Sequence, residues 1–102
     1  GRKNQAFKLP NGTFSHPRQF ERAIRSIDDS INQVFVDAQR SNPPTVFVRL
    51  TEDKILSDTL KKKITQEITY VHSIHSITPG TMVYNKKGEI DRPATRQAID
   101  ST

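Results

Sequence analysis

The residues whose types can do chemistry do not assemble into a self-contained catalytic set. The three histidines are His16, His72 and His75. His72 and His75 are three apart, but they straddle an expected helix end and a strand, so nothing assures them a shared face. There is no Cys, which excludes disulfides and thiolate zinc, and no compact Asp/Glu cluster completes a metal-ligand set. No nucleophile elbow frames a Ser-His-Asp arrangement. Neither G-x-x-x-x-G-K-[ST] nor G-x-G-x-x-G occurs. What remains is positive charge. The formal net charge is +5, which suits an anionic partner such as nucleic acid, a nucleotide, a phosphopantetheine carrier or an acidic protein surface. Lys61, Lys62 and Lys63 read as the solvated face of a helix.

The elements that must position these residues follow from patterning. A chain of 102 residues, 32% hydrophobic and without Trp, makes one domain with a modest core, the sort that leans on a larger body. Residues 5–9 and 13–15 read as a hairpin about Asn11-Gly12, a pair that tolerates the positive φ of a tight turn. Pro17 to Ile27 reads as a helix opened by proline, with Phe20, Ala23, Ile24 and Ile27 on one face; Arg18, Arg22 and Arg25 fall elsewhere and meet water. Ile31–Asp37 and Val46–Leu50 read as an antiparallel strand pair. Ser57 to Val71 reads as a long helix with Leu60, Ile64, Ile68 and Val71 as its apolar stripe. Ser73–Ile77 reads as a third strand, and Pro93 opens a terminal helix through about Ile99. The fold class is α+β: a three-stranded sheet with packed helices and an N-terminal β-hairpin. No apolar run nears the ~18 residues that span a bilayer. No secretory leader precedes the first turn, so the reading is a soluble, cytoplasmic chain. The aromatics fall mostly at core-facing positions, which disfavours a nucleic-acid stacking stripe.

Two stretches, set at nearly the full length of the chain from one another, carry a resemblance. The first runs Gly1-Arg2-Lys3, Lys8-Leu9, Asn11-Gly12, Pro17 and Glu21. The second is Thr78-Pro79-Gly80-Thr81-Met82-Val83-Tyr84-Asn85-Lys86-Lys87-Gly88-Glu89-Ile90-Asp91-Arg92, which is similar to P-G-T-L-P-x-T-x-S-G-K-I-x-R. Together they resemble the C-terminal subdomain of the adenylate-forming superfamily, which includes acyl-CoA synthetases, fatty-acyl-AMP ligases and nonribosomal peptide adenylation domains.

The resemblance implies that residues 1–102 form a single C-terminal lid of a larger acyl-activating ligase, with a hinge motif near 1–5. It implies an N-terminal adenylation subdomain in the same parent chain that binds ATP and Mg, and an acceptor thiol on CoA or a phosphopantetheine carrier protein. This domain would hold none of these cofactors alone, and would be inactive when isolated. Residue by residue, it implies nucleotide contact for Arg2, a hinge at Lys3 and Asn4, a hairpin tip at Asn11 and Gly12, and an active-site-facing catalytic role for Lys8. Glu21 matches a structural helix acid. Aligned on Gly88 and Ile90, Glu89 takes the place of the family's adenylation lysine. A carboxylate there opposes ATP, and Val83 and Asn85 are further departures. A rival reading therefore stands beside the first: a non-catalytic module of the same fold that docks a carrier protein or a neighbouring domain.

Overall fold

The computed structural model describes residues 6–51 and 54–101. Strands β1 (Phe7–Lys8) and β2 (Phe14–Ser15) form a two-stranded antiparallel hairpin. Gly12 at its tip has φ +90°, a backbone angle that costs side-chain-bearing residues energy and glycine none. Asn11 Oδ1 accepts from the Thr13 N–H at 3.0 Å, closing an Asx turn.

Helix α1 (Pro17–Arg25) follows at once, with proline in its first turn and Arg22 and Arg25 in its last, where cations favour the helix dipole. It stops two residues short of the expected Ile27. Ser26 N–H turns back to Ala23 O and Ile27 N–H to Ile24 O, so the final turn tightens.

Strands β3 (Ile31–Asp37) and β4 (Thr45–Leu50) pair antiparallel, as their short connection predicts, with Phe35 opposite Phe47 and Val34 opposite Val48. Helix α2 (Asp58–Glu67), capped by Ser57 Oγ accepting from the Leu60 N–H, crosses back so that β5 (Ser73–Ser76) runs parallel to β4. The helix ends at Glu67 rather than Val71. Ile68, Thr69 and Val71 are β-branched and lose side-chain freedom in a helix. The chain must also return to the sheet, where the His72 N–H donates to Pro44 O at 2.9 Å. A 3-10 turn (Pro79–Thr81) and helix α3 (Arg92–Asp100) complete the order. The β3-β4-β5 sheet, three helices and hairpin are the expected α+β architecture.

The sheet is covered on both faces. Val34, Val36, Val46 and Val48 pack with Ile24 of α1, Leu60 and Ile64 of α2, and Ile31 and Ile74. On the other face Phe35, Phe47 and Met82 pack with Ile77, Ile90 and Ile99, under α3. Alternation of side chains along β3 and β4 puts the valines on one face and the phenylalanines on the other. Asp37, fully buried, accepts two bonds from Arg96 Nε at 3.0 and 3.1 Å and one from Arg40 Nε at 3.2 Å. The Arg92 and Arg96 guanidinium groups lie 5.7 and 5.9 Å from the Phe35 ring centre, so charge pairing and cation–π contact tie α3 to the sheet. Phe7 of the hairpin meets Phe20 edge-on at 5.0 Å. Phe14, at 68% exposed, and Tyr84, at 37%, are the aromatics that depart from the core-facing expectation.

Candidate functional site

Arg18, Arg22 and Arg25 recur at i, i+4 and i+7 on α1, which sets them on one helix face. That face forms a wall of an open groove of about 1340 Å³. The opposite wall is the 84–93 segment, including Tyr84, Asn85, Gly88, Glu89 and Arg92, and Ile31 and Gln33 of β3 contribute to the floor.

The 84–90 segment is built as a tight reversal. Tyr84 bridges Ile90 antiparallel. The Asn85 N–H donates to Glu89 O at 2.8 Å, and the Gly88 N–H to Asn85 O at 3.0 Å. Asn85 Oδ1 accepts from the N–H groups of Lys87 and Glu89 at 2.9 and 3.1 Å. Gly88 takes φ +82°, which explains a glycine at this point. The segment is anchored from behind by α3. Asp91 caps that helix by accepting from the Ala94 N–H at 3.1 Å. Buried Thr95 brackets Val83, its Oγ1 accepting from the Val83 N–H at 3.0 Å and donating to Val83 O at 3.2 Å.

Two ion pairs clasp this segment to α1. Arg18 NH2 donates to Glu89 Oε2 at 2.7 Å, in the open. Three residues along both elements, Arg92 donates through NH2 to Glu21 Oε1 at 2.7 Å and through NH1 to Glu21 Oε2 at 2.8 Å. This second pair is largely buried, and Glu21 Oε2 also accepts the Val36 N–H at 2.8 Å. The hydrogen bond from Arg18, helped by the Asn85 side chain and by the charge of Lys87, holds the Glu89 carboxyl below the usual glutamate range.

The residues singled out from sequence fare differently. Glu89 is at the groove as part of a defined turn. Its charge is not bare, as the sequence implied, but met by Arg18. Glu21 is structural, as its match to a helix acid suggested. Lys8 is exposed on β1 and is not among the groove-lining residues. Asn11 and Gly12 form the hairpin tip. Arg2, Lys3 and Asn4 lie outside the described residues. His16 lines the groove, and among the described residues no three His, Cys, Asp or Glu side chains gather as metal ligands. No helix among the described residues is long and apolar enough to cross a membrane. The roles of Arg18 and Arg92 escaped the sequence reading. One signal was there: Arg18 and Glu21 are spaced as Glu89 and Arg92 are, with opposite charges in matching order.

No protein-family model and no curated protein matches the sequence. Solved structures do match the backbone. The anthranilate CoA ligase AuaEII in complex with anthranoyl-AMP superposes over 96% of this chain with a TM-score of 0.73 and 23% identity. An ATP-bound RpMatB-BxBclM chimera B1 covers 95%, with a TM-score of 0.67 and 15% identity. An acyl-CoA synthetase of Brucella canis covers 94%, with a TM-score of 0.60 and 16% identity. The chain spans only 20%, 21% and 22% of these proteins' own lengths. Its fold is that of the C-terminal domain of adenylate-forming enzymes.

Proposed function

We propose that residues 1–102 are the C-terminal lid of a larger ATP-dependent acyl-activating ligase. The observation that carries this reading is the backbone similarity over at least 94% of the chain to ligase structures of which it makes up about a fifth. An N-terminal adenylation body in the same polypeptide would supply the ATP, Mg and acyl pocket. In the first half-reaction a carboxylate oxygen of the acid attacks the α-phosphorus of ATP. The acyl–phosphate bond forms, the bond to pyrophosphate breaks, and pyrophosphate leaves with the electron pair. In the second, a thiol of CoA or of a phosphopantetheine carrier protein attacks the acyl carbon and AMP leaves.

Negative charge grows on the phosphate oxygens in the first step, and cations held ready in place stabilise it without reorganisation. The part of this domain suited to approach them is the groove between α1 and the 84–90 turn, lined by Arg18, Arg22, Arg25 and Arg92. Lys8 and Arg2 are proposed to serve the thiol step and the nucleotide, with Lys3 and Asn4 as the hinge about which the lid swings between steps. Asn11 and Gly12 form the tip of the hairpin whose first strand carries Lys8.

One observation favours a second reading, a docking module without adenylation chemistry: the turn presents a carboxylate, Glu89, already engaged by Arg18. Acyl-AMP formation by the full-length polypeptide, followed as pyrophosphate exchange with and without residues 1–102, separates the two. Exchange that collapses on deletion supports the lid. Exchange that is unchanged, with loss of carrier-protein binding alone, supports the docking module.

A further inference from the structure

The charge arrangement at the groove points beyond a vacant lysine position. Arg18 projects from a helix, is 64% exposed, and meets Glu89 through NH2 at 2.7 Å. A guanidinium carries five N–H donors in a planar fork. Glu89 engages one nitrogen, which leaves donors for a second anion. Arg22 and Arg25 continue the same helix face along the same groove, and neither has an acidic partner among the described residues. The Glu89 backbone is held by the turn, its N–H donating to Asn85 Oδ1 at 3.1 Å next to Gly88 at φ +82°, and its carboxylate reaches Arg18 from that point. The groove is open, so a phosphate-bearing molecule can reach the arginine edge without rearrangement of the core.

We infer that Arg18, lent by α1 and held in place by Glu89, is the phosphate-contacting cation of this domain. The proposal rests on the ligase reading and adds the residue that does the electrostatic work. Glu89 is then a positioning residue whose carboxylate aims a guanidinium at the α-phosphate. Position 89 itself carries a carboxylate, with Lys86 and Lys87 earlier on the same turn, and a further positive charge arrives beside it from the neighbouring helix, in the forked form that suits phosphate oxygens. Arg22 and Arg25 extend the positive wall behind it.

The test uses the full-length polypeptide and measures the two half-reactions separately. Arg18→Ala is expected to lower kcat for acyl-AMP formation by about a hundredfold, the scale for removing one preorganised donor. The KM for ATP should change far less, and thioester formation from supplied acyl-AMP should hold. Arg18→Lys should fall between wild type and Arg18→Ala. The informative variant is the double one: Glu89→Lys placed on Arg18→Ala returns a cation to the turn and is expected to recover about tenfold over Arg18→Ala. If Arg18→Ala keeps full acyl-AMP formation while deletion of residues 1–102 abolishes it, the assignment of Arg18 is overturned and the ligase reading stands. If Arg18→Ala lowers both half-reactions and Glu89→Lys recovers nothing, Arg18 is structural and the proposal fails. If the deletion variant forms acyl-AMP at the full rate, the ligase reading falls and the proposal falls with it.

Discussion

Glu21 and Arg92, 71 residues apart in sequence, meet as a forked pair in which both carboxylate oxygens accept from the guanidinium at 2.8 and 2.7 Å. Their side chains are only 9% and 13% exposed. The same carboxylate holds the Val36 N–H, so one side chain joins α1, the sheet and the start of α3. Glu21→Ala strands a partly buried guanidinium and a backbone donor. It should cost about 3–5 kcal/mol, the scale for breaking a buried pair from one side. Urea unfolding of the chain checks this, and a loss within the spread of surface variants would refute the anchoring role. Arg18→Ala, which removes the exposed pair three residues earlier, should leave the unfolding midpoint within that spread.

Ile64 is fully buried between α2 and the valine face of the sheet. Ile64→Ala should destabilise by about 2–5 kcal/mol, the sum of lost transfer energy and the cavity left behind. The urea midpoint reads this directly. A surface-sized loss would show that the α2 stripe is not core.

The Glu89 carboxyl titrates below the usual glutamate value of 4.5, chiefly because Arg18 hydrogen-bonds to it. A depressed folded-state value means that the contact favours the fold above the unfolded-chain value. That contribution is lost as pH falls below 4.5 through the lower folded-state value. A carbon-detected NMR titration of Glu89 should place its midpoint under 4.5 in the wild type. Arg18→Ala should move the midpoint upward. A wild-type midpoint at or above the ordinary value would mean that the pair does not persist in solution.

Gly88 has open space where a Cβ would sit but a φ of +82°. Gly88→Ala therefore meets no clash and is penalised by the left-handed backbone alone, by about 1–2 kcal/mol. The effect should be local. Amide exchange at Asn85 and Glu89, whose N–H groups close the turn, should accelerate while the β3–β4 amides keep their protection. Uniform acceleration across the sheet would contradict a locally built turn.

Alternation and helical spacing made most of the frame legible. Val34, Val36, Val46 and Val48 announce one sheet face, and Leu60 and Ile64 announce the helix that covers it. The end of α2 was not legible, because Ile68 and Val71 continue the apolar period beyond Glu67 while their β-branched shapes and the return to β5 end the helix. The candidate site was legible as a motif, aligned on Gly88 and Ile90, but not in its charge. Arg18 reads as a water-facing arginine, because helical periodicity says only which face a residue takes and nothing of what the chain brings opposite that face 71 residues later. Glu89 read alone is a misplaced negative charge. With its partner in view it is half of a pair.

Strand β3 lies at the rim of its sheet, where unpaired backbone groups invite another chain to add a strand. Val36 stands on that rim, and neither of its outward groups is left vacant. Glu21 takes its N–H at 2.8 Å, and the Arg92 NH1 approaches its carbonyl at 3.5 Å. Donor and acceptor are thus met by two side chains that imitate a neighbouring strand for the length of one rung. The pair that fastens α3 also guards the rim against self-association, so a variant lacking Glu21 loses solubility as well as stability, and a second copy of the domain gains a place to zip on.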